Sequence, residues 1–198
     1  MPESELPDPH ELREHSIDTF ARRVALVTAI YAVLLALAAL GGNHAMREML
    51  LAQQKASDQW AFYQAKVIRE HQYRGQKQRL EIDLLERGAT MKPEARERLE
   101  ALLRKSDEEE QRYNTEKKDV EKEARRLEQE RDLYQAKDPY FMFAEALLQI
   151  AVVMSSVAIL SKSRSAFSVS LVLGVAGAIM ALNGHYLFFR LPFMHGGH

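Results

Sequence analysis

The chain has no cysteine. That excludes a disulfide framework, a thiolate metal site and a cysteine nucleophile, and it leaves the compartment open. No region has a one-signed excess of Lys and Arg, so a nucleic-acid-binding domain is not expected. Missing too are a phosphate-cradling glycine-rich loop, a nucleophile elbow and a zinc-binding His-Glu-x-x-His pair. We therefore expect neither an enzyme nor a bound cofactor or metal. His195 and His198 could touch a metal, but two imidazoles on a short tail usually bind nothing specific.

Charge is also missing from long stretches. The 198 residues include 27 Lys+Arg and 28 Asp+Glu, for a formal net charge of −1. Residues 43–138 hold 21 basic and 21 acidic side chains, whereas 165–189 hold none. The two populations call for different solvents. Residues 24–40 are uncharged, 140–160 contain one charge (Glu145), and 166–189 contain none. A transmembrane helix needs about 20 apolar residues. The second and third runs qualify fully and the first lies at the short end. A cleaved signal peptide is weighed for the first run, with Arg22-Arg23 before it and Ala36-Leu37-Ala38 as a cleavage site. The preceding segment is long and acidic and the apolar run exceeds the usual length, so a retained helix is preferred. Phe20-Ala21-Arg22-Arg23 makes a poor twin-arginine export signal.

Between the first two runs the chain reads as helix. Residues 44–87 have no proline and one glycine (Gly75), and good helix formers predominate. Gly88-Ala89-Thr90-Met91-Lys92-Pro93 is a turn, with glycine suited to a helix end and proline to a first helical turn. A second helical stretch runs from 93 to 137, and Asp138-Pro139 ends it or starts the next helix as N-cap and N1. Each arm would be about 66 Å long. A five-residue turn makes an antiparallel hairpin the default, and equal arms return the chain to the surface it left. Along the second arm Leu99, Ser106, Tyr113, Val120, Leu127 and Tyr134 recur every seven residues. The companion column is Leu102, Glu109, Glu116, Glu123 and Glu130. On the first arm Met49, Ala56, Tyr63 and Leu84 keep the spacing, interrupted by Glu70 and Lys77. This predicts a narrow coiled-coil-like seam with salt-bridged flanks. So thin a seam buries little apolar area, which favours further contacts from other subunits.

The fold class expected is all-α: an integral membrane protein with three transmembrane helices and a long antiparallel helical hairpin. Its parts are an acidic N-terminal tail (1–21), a first span (22–42), the hairpin (43–138, turn at 88–92), a second span (139–161), a third (166–189) and a C-terminal tail (190–198). Short loops rich in Lys and Arg stay cytoplasmic. Arg22 and Arg23 lie before the first span, and Lys162 and Arg164 lie between the second and third. Both groups fall on one side, which puts the N-terminus inside and the hairpin and C-terminal tail outside.

Two stretches carry a likeness to a known family. One is Lys55-Ala56-Ser57-Asp58-Gln59-Trp60-Ala61-Phe62-Tyr63-Gln64-Ala65-Lys66. The other is Ala146-Leu147-Leu148-Gln149-Ile150-Ala151, with Ser155-Ser156-Val157-Ala158-Ile159-Leu160 and the basic loop after it. The chain resembles, over nearly its whole length, a family of bacterial membrane proteins of unknown function, with one membrane helix, a helical insert and two more. The resemblance implies this architecture in a bacterial membrane and no activity; with the positive-inside orientation it leads us to expect an inner-membrane protein with the hairpin on the periplasmic side.

Three groups of residues are candidates for function. Asp58, Gln59, Trp60, Tyr63 and Lys66 concentrate polar and aromatic groups within three helical turns, the best candidate for a subunit or partner contact. Asp58 could bridge to Lys55 or Gln54. The plainer reading is that Trp60 and Tyr63 pack on the second arm near Val120 and Leu127. Glu145 and Gln149 share a helix face, and the up-down topology brings Glu145 to the depth of Asn183 and His185, so a Glu145–His185 or Glu145–Asn183 contact is expected. The plainer reading is a solvated Glu145 at headgroup level. Small residues, Ala25, Ala29, Ala32 and Ala36 in the first span and Gly174, Gly177, Ala178 and Ala181 in the third, are expected to pack helix against helix, within or between chains. The expected role is a membrane-anchored scaffold or adaptor, homo-oligomeric, with the lipid bilayer and a protein as partners and no nucleic acid. The alternative is a small channel or transport accessory using the intramembrane polar residues.

Overall fold

The computed structural model describes residues 9–189, with side chains from 19 onward. Residues 1–8 of the proposed N-terminal tail (1–21) and the whole C-terminal tail (190–198), with His195 and His198, lie outside the described residues, whereas 9–21 are helical and belong to α1 rather than to a tail. Three α-helices account for nearly all of the rest: α1 (Pro9–Arg87), α2 (Pro93–Ser161) and α3 (Arg164–Tyr186). No strand occurs among the described residues. All three helices are long and apolar enough to cross a membrane.

The helices run further than the local signals suggested. α1 passes through Gly41-Gly42 unbroken, and α2 passes through Asp138-Pro139 with Pro139 inside it. Proline removes one backbone hydrogen bond. A 69-residue helix held on both sides of that point keeps its course without it. Between α2 and α3 only Lys162 and Ser163 are non-helical, with Lys162 in the left-handed region (φ 50°) and Ser163 as N-cap, its hydroxyl accepting from the Ala166 amide at 3.3 Å. At the other end of α3, Leu187 (φ 52°) closes the helix by donating its amide to the Asn183 carbonyl at 2.7 Å. The α1–α2 turn begins at Gly88, which is buried, and a Cβ there would overlap the Leu84 carbonyl oxygen.

The chain forms two compact units. In the first, residues up to Glu48 join residues from Leu133 onward. Its core is Tyr31 and Ala38 of α1 with Ala144, Leu148 and Ala151 of α2, and Val27, Leu34, Leu35, Leu173 and Met180 pack on it. The buried side of α1 here is Val24, Tyr31, Ala38 and Ala45, at seven-residue spacing. That spacing turns another stripe outward. Ala25, Ala29, Ala32 and Ala36 lie on the exposed side of α1, away from the core formed by the described residues. The small residues of α3 do pack inward: Gly174 and Gly177 are buried and Ala178 and Ala181 half-buried. A Cβ on Gly174 would overlap the Tyr31 ring, and one on Gly177 would lie 2.8 Å from the Leu148 Cγ.

The second unit, Met49–Asp132, is the pair of arms. Its cross-links pair Trp60 with Glu128, Arg74 with Glu110 and Lys77 with Asp107, so the arms run antiparallel. Ser106, Tyr113 and Leu127, three members of the seven-residue column, are buried, with Ala124 beside them. From α1 come Ala52 and Ala56, and also Glu70, which is 1% exposed. The residue that interrupts the apolar column therefore still occupies its place in the seam.

Candidate functional site

In the second unit the polar groups form one ladder. The buried Glu70 carboxylate takes a hydrogen bond from Lys117 Nζ on one oxygen and from Arg74 on the other at 2.6 Å. Arg74 also donates to Glu110 at 2.8 Å, and Lys77 reaches Asp107 at 2.5 Å and Glu110 at 3.5 Å. A buried charge persists only if paired and hydrogen-bonded, and Glu70 has both. Burial pushes its pKa up more than any other single influence. The hydrogen bond and charge of Lys117, with the charge of Arg74, together outweigh it and hold the carboxyl below its ordinary value. Next along the arm, Lys66 pairs with Glu116, holding that carboxyl low as well. The ammonium of Lys66 lies 5.0 Å from the Phe62 ring centre and 5.2 Å from that of Tyr113. Hydrogen bonds from Arg69 and Arg112 lower the Tyr113 hydroxyl pKa.

Trp60 is tied into the same unit. Its Nε1 donates to Glu128 at 2.9 Å, its ring meets Tyr63 edge-on at 5.4 Å, and the Arg125 guanidinium lies 6.0 Å over it. Trp60 and Tyr63 thus face the second arm around Leu127, and Lys66 reaches it through Glu116. Gln59 is half-buried, and Asp58 is exposed with no ion pair to Lys55 among the described residues. The five candidates therefore divide: Trp60 and Lys66 tie the arms together, Tyr63 packs on Trp60, Gln59 is half-buried and Asp58 stays on the surface.

In the first unit one polar node joins all three helices. Ser170 Oγ of α3 donates to the Ala151 carbonyl of α2 at 2.9 Å. Its single proton is then used, so Ser155 Oγ of α2 donates to it across 2.7 Å. Tyr31 of α1 donates to the Ser170 carbonyl at 3.3 Å. Sequence reasoning passed over this node because serine and tyrosine are unremarkable in an apolar run. The signal available was Tyr31 in the seven-residue column with Val24 and Ala38.

The other intramembrane candidates separate. Asn183 is fully buried and clamps the end of α3: its side-chain amide donates to the Phe189 carbonyl at 2.9 Å and accepts the Phe189 amide at 3.1 Å, while Tyr140 also donates to that carbonyl. His185 is exposed and meets the Phe141 ring edge-on at 5.2 Å. Phe141 itself is wedged against two glycines, since a Cβ on Gly41 would lie 2.5 Å from its ring and one on Gly184 3.0 Å. Glu145 is half-buried and faces α1, where a Cβ on Gly42 would lie 3.2 Å from its Oε1. No hydrogen bond or ion pair joins it to His185 or Asn183 among the described residues, and Gln149 is exposed. Matching depth did not bring these groups together, because helix rotation turns Glu145 toward α1 and Asn183 toward its own C-terminus. Among the described residues, no three His, Asp or Glu side chains gather to hold a metal ion.

The family model described as Domain of unknown function (DUF4337) matches residues 20–187. No curated protein and no solved structure matches the chain.

Proposed function

The chain belongs to the DUF4337 family, and we propose that within it this protein is a membrane-anchored scaffold or adaptor that works as a homo-oligomer. The observation that supports this most directly is the outward stripe of Ala25, Ala29, Ala32 and Ala36. Apolar surface on a membrane helix needs no small residues to face lipid. Small residues matter where another helix comes close, and no helix of this chain uses these. The polar and aromatic groups of the hairpin are spent on one another, which suits a rigid spacer.

In this reading the bilayer is that of a bacterial inner membrane. Arg22, Arg23, Lys162 and Arg164 lie on the cytoplasmic side and the hairpin on the periplasmic side. The test is the mass of the purified protein in detergent, together with disulfide formation by single-cysteine variants at Ala32 and Ala36. A multimer with cross-links at these positions is expected. A monomer at micromolar concentration would overturn the reading.

One observation favours a second reading, a small channel or transport accessory. Glu145 is a half-buried carboxylate in an apolar run with no hydrogen-bonding partner among the described residues, and intramembrane ionisable groups commonly serve ion pathways. Selective flux in liposomes, abolished by Glu145→Gln, would establish this reading over the scaffold.

A further inference from the structure

The exposed side of the first hairpin arm has an unusual composition. Gln54, Ala61, Ile68, Gly75 and Ile82 recur every seven residues along α1. Alternating with them at steps of three and four is a second column, Leu50, Ser57, Gln64, His71, Gln78 and Leu85. Together they make a stripe spanning residues 50–85, all of it exposed except the half-buried Gly75. Not one of its positions is Asp, Glu, Lys or Arg, although 25 of the 40 positions 93–132 on α2 are charged. The solvated face of α2 is charged, and this stripe of α1 is not. Ile68 is 66% exposed and Leu85 86%.

Gly75 adds a second, independent observation. Glycine inside an exposed helix is unfavourable, and here nothing within the chain explains it, because a Cβ at Gly75 would have no atom within 4 Å. Every other glycine between 41 and 184 has a neighbour that occupies its missing side chain. Gly75 has the space without the neighbour.

We propose that this stripe is the seam along which the α1 arms of two copies of this chain pair in parallel, an inference that rests on the homo-oligomer reading. The composition identifies the occupant. In a parallel, in-register pair each residue meets its own copy, so a charge at any seam position would meet a like charge. Apolar, hydroxyl, amide and imidazole groups are the ones that pair favourably with themselves, and those are what the stripe contains. Two chains anchored in one bilayer also present their α1 arms in the same direction. The stripe is about 54 Å long and a helix about 10 Å wide, so the pair covers roughly 1,100 Å², just above the roughly 1,000 Å² that a specific interface requires. Gly75 then admits the facing backbone. The flanking columns set Arg74 near Arg79 and Glu81 near Glu86 across the pair. Arg74 is already paired with Glu70 and Glu110, so the exposed Glu81–Glu86 repulsion remains, and because salt screens it, pairing strengthens as ionic strength rises.

The absence of native cysteine makes the test direct. Full-length Ala61→Cys and Ile68→Cys variants, each alone, are oxidised in detergent, with Lys118→Cys on the outward side of α2 as control. We expect disulfide-linked dimers from the first two at least tenfold more abundant than from the control. We also expect Ala61→Glu/Ile68→Glu to weaken self-association at least tenfold by sedimentation while the helical circular-dichroism signal is retained. A multimer that cross-links at Ala32 but not at 61 or 68 would overturn this seam and leave the oligomer reading standing. A multimer in which residue 68 cross-links to 71 but not to itself would overturn the parallel register. A monomer would overturn both the seam and the oligomer.

Discussion

At the scale of single residues the informative side chains are those that look misplaced. Glu70 sits where the seam calls for an apolar group, yet it is buried with both oxygens bonded. Its folded pKa lies below its ordinary value, 4.5. A depressed carboxyl contributes stability that is fully present above the unfolded pKa and is lost as pH falls through the folded one. Hairpin stability, followed by circular dichroism, should therefore decline below about pH 4.5. The Glu70→Gln variant should start lower by about 1–3 kcal/mol and show a shallower acid slope. Gly174 is the counterpart in the first unit. Gly174→Ala drives a methyl into the Tyr31 ring, breaks the bond from Tyr31 to the Ser170 carbonyl and should cost about 1–3 kcal/mol. Thermal unfolding of Gly174→Ala with and without Tyr31→Ala checks it, the second change restoring part of the loss. Of these residues the sequence announced only an anomaly at Glu70. Its partner Lys117 lies 47 positions away, and register across a turn cannot be read from one arm.

Among the elements, α1 shows most clearly what pattern does and does not reveal. The length and helical character of both arms were legible because good helix formers and the 88–92 turn stand out against the apolar runs. Ser106, Tyr113 and Leu127 were legible as seam because most positions around them are charged. The facing of Ala25, Ala29, Ala32 and Ala36 was not. A helix apolar all round gives no contrast to orient it, so a small-residue stripe can be read equally as inside or outside. The continuity of α2 through Pro139 was hidden for a similar reason, since a local signal for a helix start is overridden by packing on either side. Gly75 gives this scale its prediction. Gly75→Ala should raise the intrinsic stability of the arm by about 1 kcal/mol, measured by chemical unfolding under conditions that keep the protein monomeric. In the associated state the same change should weaken self-association in sedimentation, so the two readouts move in opposite directions.

For the whole molecule, charge divides as the chain does: residues 43–138 carry 42 charges and 165–189 none, while Met49–Asp132 forms a compact unit of its own. The contact expected between Glu145 and His185 was not obtained, because equal depth fixes height along two helices and says nothing of rotation about them. The orientation proposed above gives the prediction proper to this scale. With no native cysteine, a membrane-impermeant maleimide should label Lys118→Cys in intact cells and label Ser163→Cys only after lysis. The reverse pattern would place the hairpin in the cytoplasm.

The cross-arm ties of the second unit also imply an order of events. Lys77–Asp107 closes a separation of 30 residues, Arg74–Glu110 36, Lys117–Glu70 47, Lys66–Glu116 50 and Trp60–Glu128 68. Closing the longest loop directly costs only about 0.7 kcal/mol more than closing the shortest. Once the pair beside the turn has formed, though, each later one closes a far shorter loop than it would alone. The hairpin therefore assembles as a zipper starting at Gly88. Weakening Lys77 should slow folding, whereas weakening Trp60 should mainly hasten unfolding.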